Sequence, residues 1–163
     1  MLTLFMGKGK GKTQVAIGAA VKAACRDKKV LFVDFINQDN ANDIQALQSM
    51  YTVTVLYTPV ELELAADNGF EGKAQASKVF RELFDTAVRT VLTSKFDMLI
   101  LDGVFDAAEK GLLLESEVYE FLSNAPNSLD IICTGVNIDD KFLSLSTFAT
   151  ELTDKKDEEN PSI

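Results

Sequence analysis

Leu2-Thr3-Leu4-Phe5-Met6-Gly7-Lys8-Gly9-Lys10-Gly11-Lys12-Thr13, running on into QVAIGAAVKAACR (Gln14 to Arg26), is the stretch that decides the fold. Leu2 to Met6 reads as a short apolar strand, the Gly/Lys run as a loop, and the Ala/Gly-rich segment as a helix able to pack closely on a sheet. Strand, glycine loop and helix in that order form a phosphate cradle. Glycines let consecutive backbone N–H groups turn toward one anion, the helix start adds positive potential, a lysine neutralises phosphate charge, and a hydroxyl can hold Mg²⁺. Three glycines and three lysines in seven residues would destabilise a loop unless an anion offset the cost. The spacing is shortened: a GxxxxGK[ST] pattern ending at Gly11-Lys12-Thr13 requires glycine where Met6 stands, and counted from Gly7 the loop is one residue short.

Outward from the loop, strands alternate with helices, the pattern of a mostly parallel α/β sheet covered on both faces. Lys29 to Ile36 is apolar on both faces and reads as a central strand. Asn40 to Met50 reads as a short helix and Thr52 to Thr58 as a third strand. Residues 59 to 72 read as a loop with a helical turn, long enough to be a lid. Lys73 to Ser94 is the longest helix, with Phe80, Leu83, Phe84, Ala87, Val88 and Val91 on one stripe. Phe96 to Gly103 is a buried strand, Phe105 to Gly111 a helical piece, and Glu115 to Leu122 an amphipathic helix. Asp130 to Gly135, Asp139 to Ser146 and Phe148 to Thr153 follow as strand, helix and edge strand. The expected organisation is one nucleotide-binding domain over residues 1–153 and a polar, frayed tail over 154–163.

A phosphate loop calls for an acid at the end of a neighbouring strand. Asp102, closing Met98-Leu99-Ile100-Leu101, has the form of a Walker B aspartate that with Thr13 would ligate Mg²⁺, a strand-end cap being the alternative. Asp34 is the weaker choice because it lies inside Val33-Asp34-Phe35-Ile36.

Composition narrows the chemistry. The 163 residues include no histidine, which removes His triads, HExxH zinc sites and imidazole catalysis. Cys25 and Cys133 form no CxxC and read as buried thiols in a reducing cytoplasm. No apolar run reaches the ~18 residues of a membrane span, and Met1 leads directly into a strand rather than a signal-peptide pattern. The net charge is −9, yet residues 1 to 29 hold seven bases against Asp27 alone, so the rest of the chain is strongly acidic. An acidic body speaks against nucleic acid as partner, and a basic start speaks for one small anion.

The residues resemble the ATP:corrinoid adenosyltransferases of the CobA/BtuR/CobO type. Gly7 to Thr13, GKGKGKT, is similar to the family's shortened GNGKGKT loop. Phe35-Ile36 after the second strand resembles its Gln-Phe-Ile segment, and Asn68-Gly69-Phe70 stands where the family carries Gly-Phe-Thr-Trp. Leu101-Asp102 and Gly111-Leu112-Leu113 resemble its Leu-Asp-Glu strand end and downstream Gly-Leu-Leu. Thr134-Gly135-Val136-Asn137 resembles Thr-Gly-Arg-Asn, and Ala149 to Thr153 the Ala-Asp-Leu-Val-Thr-Glu close. The resemblance implies a P-loop NTPase-like fold with a RecA-like core and a reaction in which cobalt(I) of a reduced corrinoid attacks the 5′ carbon of ATP and expels triphosphate. It implies Lys12 and Asp102 as catalytic residues, with Gly7, Lys8, Gly9, Lys10, Gly11, Lys12, Thr13, Phe70 and Asn137 binding ATP or corrinoid, and Thr13 and Asp102 on Mg²⁺. A flavoprotein electron donor and a homodimer are the partners it suggests. Gly103 replaces the family's Glu, Val136 its Arg, and Glu71-Gly72 follow Phe70 where Thr-Trp would stand. Three functions stay open on these residues: an adenosyltransferase, a nucleotide-binding accessory relative, and a general P-loop NTPase or phosphotransferase.

Overall fold

The computed structural model describes residues 1–35, 41–58 and 69–156. The strands are β1 (Leu2–Met6), β2 (Val30–Asp34), β3 (Val53–Tyr57), β4 (Met98–Asp102), β5 (Asp130–Thr134) and β6 (Phe148–Glu151). The helices are α1 (Lys12–Ala24), α2 (Ala41–Gln48), α3 (Gly69–Thr93), α4 (Val104–Glu109), α5 (Glu115–Asn124) and α6 (Asp140–Leu145). All six strands run parallel in the order β3-β2-β4-β5-β1-β6. β5 separates the loop-bearing β1 from the acid-bearing β4, the arrangement of a RecA-like core. Parallel strands need helical crossovers, and those helices cover both faces.

Period-2 alternation sorts the strand residues between two cores. Val30, Phe32, Ile100 and Ile132 face α1 and α2, where Ala16, Ala20 and Ala23 let α1 lie close to the sheet. Leu31, Val33, Leu99, Leu101, Ile131 and Cys133 face the opposite side, where Phe80, Phe84, Ala87 and Val91 of α3 pack with Val118 and Phe142. Burying each such Leu, Ile or Phe side chain is worth about 1.5–3 kcal/mol. The α3 stripe is therefore core, with Leu83 and Val88 partly buried at its margin.

Two details differ from the sequence-based reading. β2 ends at Asp34, with Phe35 in a bend and its ring 6.3 Å from that of Phe80, while Ile36, the expected end, lies outside the described residues. Cys25 is exposed, not buried, since it caps α1 one residue beyond the last alanines that touch the sheet; Cys133 is buried as expected. Asn40, residues 59–68 of the expected lid and 157–163 of the expected tail lie outside the described residues, and Gly69 to Gly72 form the first turn of α3. No helix among the described residues is long and apolar enough to cross a membrane.

Candidate functional site

The loop between β1 and α1 turns through glycines. Gly7 (φ 101°) and Gly11 (φ 107°) occupy left-handed backbone that L side chains rarely adopt. Gly9 needs its missing side chain for another reason: a Cβ there would sit 2.6 Å from the Leu152 carbonyl carbon and oxygen and 2.7 Å from the Thr153 nitrogen. The chain leaving β6 thus lies as a strap against the loop. The Gly9 N–H donates to the Leu152 carbonyl at 2.9 Å, the Leu152 N–H to the Met6 carbonyl at 2.8 Å, and the Gly7 N–H to the Val136 carbonyl at 3.0 Å. The Lys10 N–H points at both carboxylate oxygens of Asp154, 3.2 Å from each. Lys12 curls over the loop, its Nζ donating to the carbonyls of Gly7 at 2.6 Å and Gly9 at 3.1 Å. Lys8 and Lys10 are exposed, while Lys12 and Thr13 are half-buried.

The other flank is a row of polar side chains at the carboxyl ends of three adjacent strands. Counting from Val30 and Phe32, Asp34 falls on the α1 face of β2; Asp102 and Thr134 hold the same parity on β4 and β5. Asp34 pairs with Asp102 in the β2–β4 register. Asp34, Asp102 and Thr134 are 1%, 2% and 2% exposed. The Thr134 hydroxyl donates to Asp102 Oδ1 at 2.6 Å and accepts the Gly103 N–H at 2.7 Å. The Thr13 side chain hydrogen-bonds to Asp102 as well, joining the start of α1 to the end of β4. Burial pushes the Asp102 carboxyl above its ordinary pKa, against the lowering effect of the Thr134 and Thr13 hydrogen bonds and of Lys12. Asp106, in α4, is also pushed up by burial, opposed by the Val136 N–H it accepts at 2.7 Å and by Lys12.

The remaining sequence-predicted residues stand elsewhere. Phe70 is the second residue of α3 and 90% exposed. The Asn137 amide donates to Glu109 Oε1 at 2.8 Å. Asn137 lines a cleft of about 550 Å³ together with Met6, Gly7, Lys8, Gly9, Val136, Ile138, Glu151, Thr153 and Asp154. Lys12, Thr13 and Asp102 do not line that cleft, which opens on the strap side of the loop. Gly103 caps α4 at φ 73° and contributes no side chain.

The structure therefore brings Lys12, Thr13 and Asp102 together, places Gly7 to Gly11 beside them, and leaves Phe70 and Asn137 apart. Residues that sequence reasoning missed are Thr134, the strap from Leu152 to Asp154, and Asp34 as a strand-end acid. Alternation counted back from Asp34 could have found the last; the others depend on contacts between distant segments. Asp102 and Thr13 supply hard oxygen donors of the kind Mg²⁺ takes. Among the described residues no group of three or more His, Cys, Asp or Glu could hold a metal unaided, so a cation there would draw further ligands from water and phosphate.

A solved structure of EssC (ATPases 2 and 3) from Geobacillus thermodenitrificans superposes with a TM-score of 0.46 at 14% identity, covering 94% of this chain and 32% of that one. An uncharacterized protein of Nostoc sp. is 24% identical over 170 residues, spanning 91% of this chain and 42% of its own length. A corrinoid adenosyltransferase of Escherichia coli is 29% identical over 156 residues, spanning 93% of this chain and 76% of that protein. The family model described as ATP:corrinoid adenosyltransferase BtuR/CobO/CobP matches residues 1–161, and the chain belongs to that family.

Proposed function

We propose that this chain binds ATP on the Gly7–Thr13 loop and transfers its 5′-deoxyadenosyl group to the cobalt(I) of a reduced corrinoid. The cobalt lone pair forms the bond to C5′, the C5′–O bond breaks, and triphosphate leaves with the electron pair. The observation that carries the reading is the meeting of Lys12 and Thr13 with Asp102 across the β1–α1 and β4 ends, in a member of this family. The nucleophile comes with the substrate, so a chain without histidine lacks nothing the reaction needs. Lys12 would exchange its loop carbonyls for phosphate oxygens, and the loop N–H groups would hold the leaving group in place. Thr13 and Asp102 would hold Mg²⁺, which supplies neutralisation of triphosphate charge. A cytoplasmic setting, a flavoprotein electron donor and a homodimer belong to the same proposal.

Mass spectrometry of products from ATP, Mg²⁺, reductant and corrinoid tests it. Adenosylated corrinoid and triphosphate are expected; intact ATP binding without turnover would sink it. Lys12→Ala should weaken ATP binding about ten- to a hundredfold, through loss of a charge-assisted contact of about 1.5–3 kcal/mol.

Gly103 and Val136 favour a second reading, a nucleotide-binding relative without transfer, because the family's Glu and Arg are replaced there by residues with no charge. That reading expects an inactive wild type and activity gained in a Gly103→Glu/Val136→Arg variant. An NTPase would release ADP; Asp106, the acid nearest to Asp102 in sequence after it, is engaged by the Val136 N–H.

A further inference from the structure

We propose that Asp106 is a positioning residue for the phosphate loop, fixing through the backbone of Val136 the orientation of Gly7, where the triphosphate cradle begins. This rests on the ATP-binding reading above and deepens it, since it names a side chain that acts on the loop through another residue.

A relay of hydrogen bonds carries the argument. Asp106 Oδ1 accepts the Val136 N–H at 2.7 Å, and the Val136 carbonyl accepts the Gly7 N–H at 3.0 Å. Beyond Gly7 the relay reaches Lys12, whose Nζ donates to the Gly7 carbonyl at 2.6 Å. The peptide groups on both sides of Gly7 are thereby pinned, one from the exit of β5 and one from the start of α1, and between them Gly7 holds φ at 101°. A carboxylate bond to a backbone N–H is charge-assisted and about twice as strong as a neutral one, so the first link is firm. The turn that contains Val136 has no slack either. A Cβ on Gly135 would stand 2.5 Å from the Phe105 Cβ and 3.4 Å from the Asp106 nitrogen, and the Gly135 N–H donates to the Phe5 carbonyl at 3.2 Å. The exit of β5 is clamped between α4 and the end of β1, so a change at Asp106 passes into the loop. The Asp106 carboxylate does not serve its own helix: α4 has no side-chain cap bond, and Oδ1 goes to a segment 30 positions away. Val136 has no side-chain charge to offer a ligand, and residue 136 therefore serves the site through its backbone.

The test is calorimetric titration of inorganic triphosphate with Mg²⁺ into the full chain, together with amide hydrogen exchange at Gly7 well below the melting temperature. Asp106→Asn keeps an acceptor oxygen at the same reach and removes the charge. It should bind triphosphate as tightly as wild type or more tightly, because a negative charge that Lys12 feels is gone. Asp106→Ala should bind about tenfold more weakly than Asp106→Asn, for want of the acceptor. Exchange at the Gly7 N–H, which bonds to Val136 and not to Asp106, should quicken about tenfold in Asp106→Ala and stay slow in Asp106→Asn, while Leu31 and Leu99 in the core keep their protection. Asp106→Glu keeps the charge but carries its oxygens one methylene too far, and it should bind more weakly than Asp106→Asn; this pair makes the comparison if the Ala variant does not fold. Equal triphosphate binding by the Ala and Asn variants, or tighter binding by Glu than by Asn, would overturn the role of Asp106 while leaving the ATP-site reading standing. A wild type that binds neither ATP nor triphosphate would overturn both.

Discussion

The two flanks of the phosphate loop are built on opposite plans. On the β6 side the loop is held by backbone: Gly7, Gly9 and Leu152 exchange main-chain hydrogen bonds with Val136, Leu152 and Met6, and an exposed carboxylate, Asp154, closes on Lys10. On the β4 side it meets buried side chains, with Thr13 and Lys12 facing Asp102, Thr134 behind it and Asp34 on the next strand. Backbone contacts set the shape of the loop and depend little on side-chain identity except where there is no room for one. The acid row stores electrostatic cost, since buried carboxylates disfavour the unliganded fold, and under the proposed function a cation bound with ATP would relieve it. One flank should therefore respond to steric change and the other to pH and hydrogen-bond loss.

The steric flank should give the largest effect. The atoms nearest to a Cβ at Gly9 all belong to backbone, so no flexible side chain can move aside. Gly9→Ala should lower stability by about 2–3 kcal/mol, read as a shift in urea midpoint at unchanged slope, and should reduce ATP binding with it. A midpoint equal to wild type would mean that the strap gives way easily and the two flanks are not as distinct as described.

On the acid flank, Thr134→Val keeps shape but strips a donor from Asp102 Oδ1 and an acceptor from the Gly103 N–H. Leaving those buried groups without the hydroxyl should cost about 1–3 kcal/mol. Thr134→Ser should recover most of it, which separates the hydrogen bonds from the loss of packing.

Asp102→Asn should act in the opposite direction on the unliganded protein. Burial raises the Asp102 pKa in the folded chain above its unfolded value of about 3.9, so ionising it costs folding free energy as pH climbs from about 4 through the raised value. Asn carries no such charge. The variant should melt higher than wild type at pH 7, and the two curves should converge as pH falls to about 4, while Mg²⁺-dependent ATP binding is lost. Asp106 is raised in the same direction and its charge also pushes Asp102 up, so relief of the repulsion between the two is part of the gain.

What was legible in the sequence follows the same division. Alternation and helical stripes gave the strands and α3, because each core face is filled by residues close together in sequence, as with Leu31 and Val33 or Phe80 and Phe84. The Gly-Lys loop and Asp102 were visible because the chemistry demands those residue types at a strand end. Asp34 was misplaced inside its strand because Phe35 reads as one more apolar position; only the bend at Phe35 shows that the strand has ended. Cys25 looked buried because its neighbours are alanines, and helix phase turned it outward. Thr134 and Asp154 were out of reach for a different reason. Their partners Asp102 and Lys10 lie 32 and 144 positions away, and no local pattern encodes that register.

Asp154 gives the smallest effect and the finest test of the strap. Its contact with the Lys10 N–H is long, shared between two oxygens and exposed, so it adds little to folding. Its charge matters more than its bond, because a triphosphate on the loop would want the same N–H and would meet a fixed negative group in its place. Asp154→Asn keeps an acceptor and removes the charge. Affinity for inorganic triphosphate should rise about two- to fivefold at low ionic strength, shrink toward wild type in about 0.5 M salt as screening sets in, and leave melting unchanged. Weaker binding in the variant would instead make Asp154 a support that holds the Lys10 N–H in its phosphate-ready orientation, and the strap would belong to the binding machinery rather than compete with it.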